Sequence, residues 1–155
     1  MITLRDVLDE DLPIFFEHQR DPDALRMAAF SSRERDAFLH HWRTNVLRPE
    51  NVTRTILRGG VVVGYISSWE QEGRRLIGYW VGREHWGQGL ATRALAEFLV
   101  LEPIRPLYAW VALHNEASIR VLTKCGFRTV ASPEQEHEGE PVEVLMRRDA
   151  TSSRV

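Results

Sequence analysis

Trp86-Gly87-Gln88-Gly89-Leu90-Ala91-Thr92 is the stretch on which the reading of this chain turns. It lies between a β-type run, Leu76-Ile77-Gly78-Tyr79-Trp80-Val81, and a segment over 89–101 in which Leu90, Ala94, Leu95, Phe98 and Leu99 fall at helical spacing. A strand therefore passes into a helix across two glycines. The first turn of any helix carries unpaired N–H groups and the positive end of the backbone dipole. Together these favour an anion, phosphate above all. Gly87 and Gly89 let the backbone approach such an anion with no Cβ in between. Ala91 and Thr92 keep the first turn slim, and the Thr92 hydroxyl offers a further donor. On the glycines alone, a connection that merely turns the chain explains the stretch equally well. Two other phosphate motifs do not fit. Gly-Lys-Ser/Thr is missing, which excludes a nucleoside-triphosphate P-loop. The preceding strand sits in a meander and no G-x-G-x-x-G follows it, which argues against a dinucleotide fold.

Outward from this turn, the chain alternates in character. Residues 2–6 read as a first strand, and Asp9 is placed to cap a helix running to about Gln19 that buries Leu12, Phe15 and Phe16. Asp21-Pro22-Asp23 breaks it. A second helix starts at Ser31 or Ser32, with Glu34 completing a capping box from Ser31, and carries Phe38, Trp42 and Val46 before Pro49. Residues 52–57 and 61–69 are β-rich and join across Arg58-Gly59-Gly60. A polar turn over 70–74 leads to the strand at 76–81. After the helix, Pro103 and Pro106 precede a strand at 107–113, a short helix at 116–124, Gly126 at its C-terminal end, and a closing pair of strands at 127–131 and 142–147. The order β-α-α-β-β-β-α-β-α-β-β predicts a mixed α/β fold, one sheet with helices against its faces.

At 155 residues the chain fits a single domain over 1–148 followed by a polar tail over 149–155. A net charge of −2 with no dominant Lys/Arg block gives no footprint for nucleic acid or an anionic membrane. A single cysteine allows no internal disulfide. No signal pattern opens the chain and no apolar run is long enough to span a bilayer, which points to the cytoplasm.

The motifs at Tyr79-Trp80-Val81 and 86–92 resemble the acetyl-CoA signature of the GNAT superfamily of N-acetyltransferases. Its pattern is Arg/Gln-x-x-Gly-x-Gly/Ala; here Trp86 takes the Arg/Gln position, Gly89 the glycine and Ala91 the small residue. The departure at Trp86 looks like the branch typified by the acetyltransferases of ribosomal-protein N-termini. Residues 113–127, from Leu113-His114-Asn115 through Ser118 to Gly126-Phe127, are similar to the Asn-x-x-Ser-x-x-x-x-x-x-x-Gly-Phe stretch of that branch. The resemblance spans nearly the whole chain. It implies a mostly antiparallel central sheet, splayed at the cofactor site, and acetyl-CoA as cosubstrate. The CoA pyrophosphate would sit on the backbone of Trp86, Gly87, Gln88, Gly89, Leu90, Ala91 and Thr92. Pantetheine would run between the strands at 79–81 and 107–113, bonding backbone groups near Trp80, Val81 and Gly82. Asn115 would contact its amides, although a helix cap explains that residue too. Lys124 or Arg120 would reach phosphates, unless both are simply solvated.

Acetyl transfer to an amine needs a neutral amine, a polarised carbonyl and a proton for the leaving thiolate. Backbone N–H groups near Val81 and Gly82 suit the carbonyl. Ser118, one helical turn beyond Asn115, is the candidate proton donor, against a helix-capping reading. Glu70 is the candidate relay from the amine, against a plain turn carboxylate. Cys125 reads as a structural thiol. His40, His41, His114 and His137 show no metal-ligand spacing, and no metal is expected. The five tryptophans read most simply as core, with Trp69 and Trp80 open to a cleft role. The acidic run 134–140 reads as a solvated loop or an attractor for a cationic acceptor. The expected activity is acetylation of a protein or peptide α-amine, with a small-molecule amine such as an aminoglycoside or polyamine, or a non-catalytic acyl-CoA sensor, as alternatives. Oligomeric state is not legible, a homodimer being one option.

Overall fold

A computed structural model describes residues 1–28, 33–131 and 143–150. Seven strands form one sheet in the order β1-β2-β3-β4-β5-β7-β6: β1 Ile2–Asp6, β2 Val52–Arg58, β3 Val61–Gln71, β4 Arg74–Val81, β5 Leu107–Ala112, β6 Arg128–Ala131 and β7 Glu143–Arg148. All neighbours run antiparallel except β4 and β5, which are joined by the crossover helix α4, Leu90–Leu101. The expected mixed sheet with flanking helices is therefore the observed fold.

The two faces of the sheet bury separate cores. Ile66, Ile77 and Val111 pack with Leu95 and Phe98 of α4 and Leu122 of α5, Glu116–Lys124. On the other face Leu12, Phe15 and Phe16 of α1, Leu12–Gln19, meet Phe38 of α3, Arg35–His41, and Trp42 of the π turn Trp42–Val46 that continues it. Alternation along the strands, period 2, divides the apolar residues between these cores.

Several local expectations are corrected. Asp9 does not cap α1. Asp9–Asp11 is a 3-10 turn, and Asp11 is buried beneath it. Its carboxylate takes two bonds from Arg5 at 2.7 and 2.9 Å, one from the Leu8 N–H at 2.8 Å and one from the Thr55 hydroxyl at 2.7 Å. Asp21-Pro22 does not simply break the chain. It opens another helix, α2 Pro22–Ala28, because Asp21 Oδ1 accepts from the Asp23 and Ala24 N–H groups and proline is tolerated where no intrahelical N–H bond is needed. The turn expected over 70–74 shrinks to Glu72 and Gly73, both at positive φ, so Glu70 lies within β3. Ser31 and Ser32 lie outside the described residues, and α3 begins at Arg35.

β4 and β5 pair at only two positions, Arg75 with Leu107 and Leu76 with Tyr108. That end is clamped by Glu102, buried just past α4, which accepts from the Ser68 hydroxyl at 2.6 Å, the Ile104 N–H at 3.1 Å and Arg75 at 3.4 Å. Beyond Leu76 and Tyr108 the strands part, toward Val81 on one side and Ala112 on the other.

Candidate active site

The parting strands open a cleft of about 400 Å³ beside the first turn of α4. Gly89 is its N-cap at φ +73°, a left-handed conformation that an L side chain enters only with strain. Among the described residues, leaving out its chain neighbours and the helix's own backbone, nothing lies within 4 Å of where a Gly89 Cβ would be, and Gly89 borders the cleft. The N–H groups of Leu90, Ala91 and Thr92 have no intrahelical partner. Trp86 is not a core residue. It is 40% exposed, and its indole N–H donates to the Val81 carbonyl at 2.9 Å, bracing the loop that delivers the glycines.

Of the sequence-predicted residues, Trp80, Val81, Trp86, Gly87, Gly89, Leu90, Ala91, Thr92, Asn115, Ser118 and Lys124 all border this cleft, as does Arg120. Gln88 does not. Nor does Glu70, which is paired with Arg75 at the clamped end of the sheet. Val81 lies six residue steps along the strand from Arg75, roughly 20 Å of extended chain. The charged side chains bordering the cleft among the described residues are cationic, with no carboxylate.

The backbone donors differ from expectation. Gly82 N–H donates to the Val63 carbonyl at 2.9 Å, so it is already used. In an antiparallel ladder, hydrogen-bonded and non-bonded pairs alternate. With Val63 and Gly82 bonded, Gly64 opposite Val81 and Ile66 opposite Tyr79 are non-bonded pairs. Val81 and Tyr79 therefore turn their N–H groups toward the splay, while Trp80 and Gly82 turn theirs toward β3.

Ser118 sits in the first turn of α5. Asn115 caps that helix: its Oδ1 accepts from the Ser118 N–H at 3.2 Å. The Ser118 hydroxyl is left for another partner, the phenol of Tyr79 at 2.6 Å. Burial pushes the Tyr79 phenol up to about 12, against the opposing pull of its bond to Ser118, so it stays protonated at neutral pH. One proton of the pair is used between the two oxygens and the other is left to point elsewhere. Tyr79 as a partner of Ser118 was not legible from the sequence, since 39 residues separate them.

α2 was also missed, although Asp21-Pro22 is a helix-start signal. Ala24, Met27 and Ala28 of α2 close one side of the cleft, and its Arg26 carbonyl meets His114 Nε2 at 2.7 Å. Cys125 lies against the Thr92 carbonyl, Sγ to O 3.6 Å, its thiol pushed up by burial, as a packing residue would be. The acidic run 134–140 lies outside the described residues.

The acetyltransferase (GNAT) domain family matches residues 1–128 of this sequence. The chain belongs to the GNAT acetyltransferase family. This acetyltransferase is similar in fold to a GNAT-family acetyltransferase from Bacillus anthracis, with a TM-score of 0.80 at 17% identity over 96% of this chain and 94% of that one. It is also similar to spermidine N-acetyltransferase from Vibrio cholerae, solved with CoA and spermine, at 0.79 and 16% over 94% of each chain. An aminoglycoside acetyltransferase solved with coenzyme A gives 0.77 and 17%, over 96% of this chain and 95% of that one. No curated protein sequence matches the chain significantly. No described helix of the acetyltransferase is long and apolar enough to cross a membrane.

Proposed function

We propose that this acetyltransferase passes the acetyl group of acetyl-CoA directly to a primary amine, and that the amine is the α-amine of a protein or peptide. The observation that carries the reading is the cleft itself. A helix N-terminus with free N–H groups, cationic side chains only, and a pair of hydroxyls meet where the sheet splays. The pyrophosphate of CoA suits the first end, and the thioester suits the second. The neutral amine nitrogen attacks the carbonyl carbon, the C–S bond breaks, and the thiolate takes a proton from the Ser118 hydroxyl, which Tyr79 holds in place. The proton shed by the acylated nitrogen returns to the Ser118 oxygen, leaving the amide and the free thiol of CoA. The Val81 N–H, freed from the ladder, stabilises the oxyanion.

The α-amine is favoured by what the cleft lacks among the described residues, a carboxylate base. At neutral pH roughly a tenth of α-amines, pKa about 8, are already neutral, against well under one per cent of lysines, pKa about 10.4. Turnover screened over N-terminal peptides, polyamines and aminoglycosides, with mass spectrometry of the products, tests the substrate. Acetyl confined to lysine side chains or to small amines overturns the substrate assignment. No turnover with any amine, while CoA still binds, favours a sensor.

The cofactor half has its own test. Gly89→Val is expected to weaken acetyl-CoA binding more than tenfold, about 1.4 kcal/mol or more. Gly60→Val controls for backbone strain, since Gly60 also has positive φ and open space around it but lies in the β2–β3 turn. Unchanged CoA affinity by calorimetry in folded Gly89→Val, or equal loss in Gly60→Val, counts against the assignment.

A further inference from the structure

His18 and His85 lie far apart in the sequence. The fold brings them together with Glu84. His18 projects from α1, and Glu84 and His85 are neighbours in the 3-10 turn Arg83–His85 that follows β4. Glu84 Oε1 stands 3.8 Å from His18 Nε2 and 3.5 Å from His85 Nε2, and one ligand atom from each residue lies within 4.8 Å of the other two.

Two further observations mark the cluster as more than a chance meeting. His18 is only 8% exposed, yet its Nδ1 has no hydrogen-bond partner among the described residues and its Nε2 is beyond hydrogen-bond reach of Glu84. A buried, unbonded Nδ1 is costly unless something else satisfies it, and Nε2, on the edge that faces Glu84, is open to a ligand. The ring is also held in position. Gly82 packs against it so closely that a Cβ there would lie 2.7 Å from Nε2, which keeps that edge of the ring by the turn carrying Glu84 and His85.

We infer that His18, Glu84 and His85 form a site for one divalent cation of the zinc class, bridging α1 to the turn that leads into the cofactor loop. Two imidazoles and a carboxylate are a borderline donor set of the kind zinc and cobalt take, with water completing the coordination. Bonds of ~2.0–2.2 Å place tetrahedral donors roughly 3.3–3.6 Å apart. The two Glu84 separations, 3.8 and 3.5 Å, are close to this. Glu84, 70% exposed, and His85, 20% exposed, can supply the remaining movement. Arg83, the nearest cation in sequence, is turned to Asp21 at 3.5 Å and Asp23 at 2.8 Å, which offsets its charge. A surface cavity bordered by His18, Glu84 and Asp21 provides the way in. His85 and Trp86 also border the cofactor cleft, so an ion here stiffens one of its walls.

Zinc titrated into the chelator-treated full chain by calorimetry tests the site, with cobalt(II) as a spectroscopic probe. The expected result is one ion per chain, visible d–d bands of low-symmetry N/O-bound cobalt, and at least tenfold weaker zinc binding in both Glu84→Gln and His85→Ala. Glu84 is exposed, so its variant keeps the fold, which circular dichroism checks. Zinc should also raise the Tm of the parent and not of the variants. Absence of saturable one-to-one binding, or less than tenfold weakening in either variant, overturns the inference. Binding at His40 and His41 would survive both substitutions and so counts against it.

Discussion

Ser118→Ala is expected to lower kcat by roughly ten- to a thousandfold while leaving the KM for acetyl-CoA nearly unchanged, the pattern of a lost proton donor. The geometry makes this substitution a clean one. Asn115 caps α5 through the Ser118 backbone N–H, which alanine retains, so the helix start is not disturbed. What is lost is the hydroxyl 2.6 Å from the Tyr79 phenol. Tyr79→Phe then separates two roles. If Tyr79 only positions Ser118, its loss lowers kcat by less than Ser118→Ala does, and the double variant is no worse than Ser118→Ala alone. Steady-state kinetics decide. A wild-type kcat with a raised KM in Ser118→Ala would reduce Ser118 to a binding residue.

Asp11→Ala is expected to cost about 3 kcal/mol of folding stability, the lower end for breaking a buried ion pair, because Arg5 is itself partly exposed. The carboxylate joins three parts of the chain, Arg5 in β1, the Leu8 N–H before α1 and Thr55 in β2. Alanine leaves the Thr55 hydroxyl buried without its acceptor. Burial alone would raise the Asp11 pKa; the bonds from Arg5, Leu8 and Thr55 outweigh it and hold the group below its usual value. The sign of the pH effect follows. The stabilisation is complete above the unfolded carboxylate pKa, about 3.9, and is lost as pH falls through the lower folded value. Urea unfolding at neutral pH should show the deficit, and titration toward acid should narrow the gap between parent and variant. A deficit below about 1 kcal/mol, or one that does not shrink in acid, would show that Asp11 is not the link described.

Much of the fold was legible in the sequence because its signals are local. Strand alternation in β2–β4, the helical spacing of Leu90, Ala94, Leu95 and Phe98, and the glycines before them each depend on residues a few positions apart. Boundaries slipped where side chains met distant partners. Asp9 and Asp11 are both acceptable helix starts by residue type. Only the contact with Arg5 and Thr55 draws Asp11 inward. Asp21-Pro22 was read as a break, although the same residues begin α2, because a helix ends and another begins there without intervening loop chemistry.

The candidate site divides in the same way. The sequence by itself determined the glycine-rich strand-to-helix turn that borders the cleft, since such a turn shows its N–H groups through local backbone geometry alone. It also placed Asn115 and Ser118 one helical turn apart. Tertiary structure decided everything that depends on strands and helices far apart in the chain. The pairing register used up the Gly82 N–H and freed that of Val81. The early end of the β4–β5 pairing opened the cleft and left Glu70 at the paired end of the sheet, outside the cleft lining. Packing brought Tyr79 to Ser118 and His18 to Glu84 and His85. A hydrogen bond or a ligand cluster is sensitive to tenths of an ångström across such distances. Residue spacing carries no such information, because the chain between the partners can take any path until the core closes.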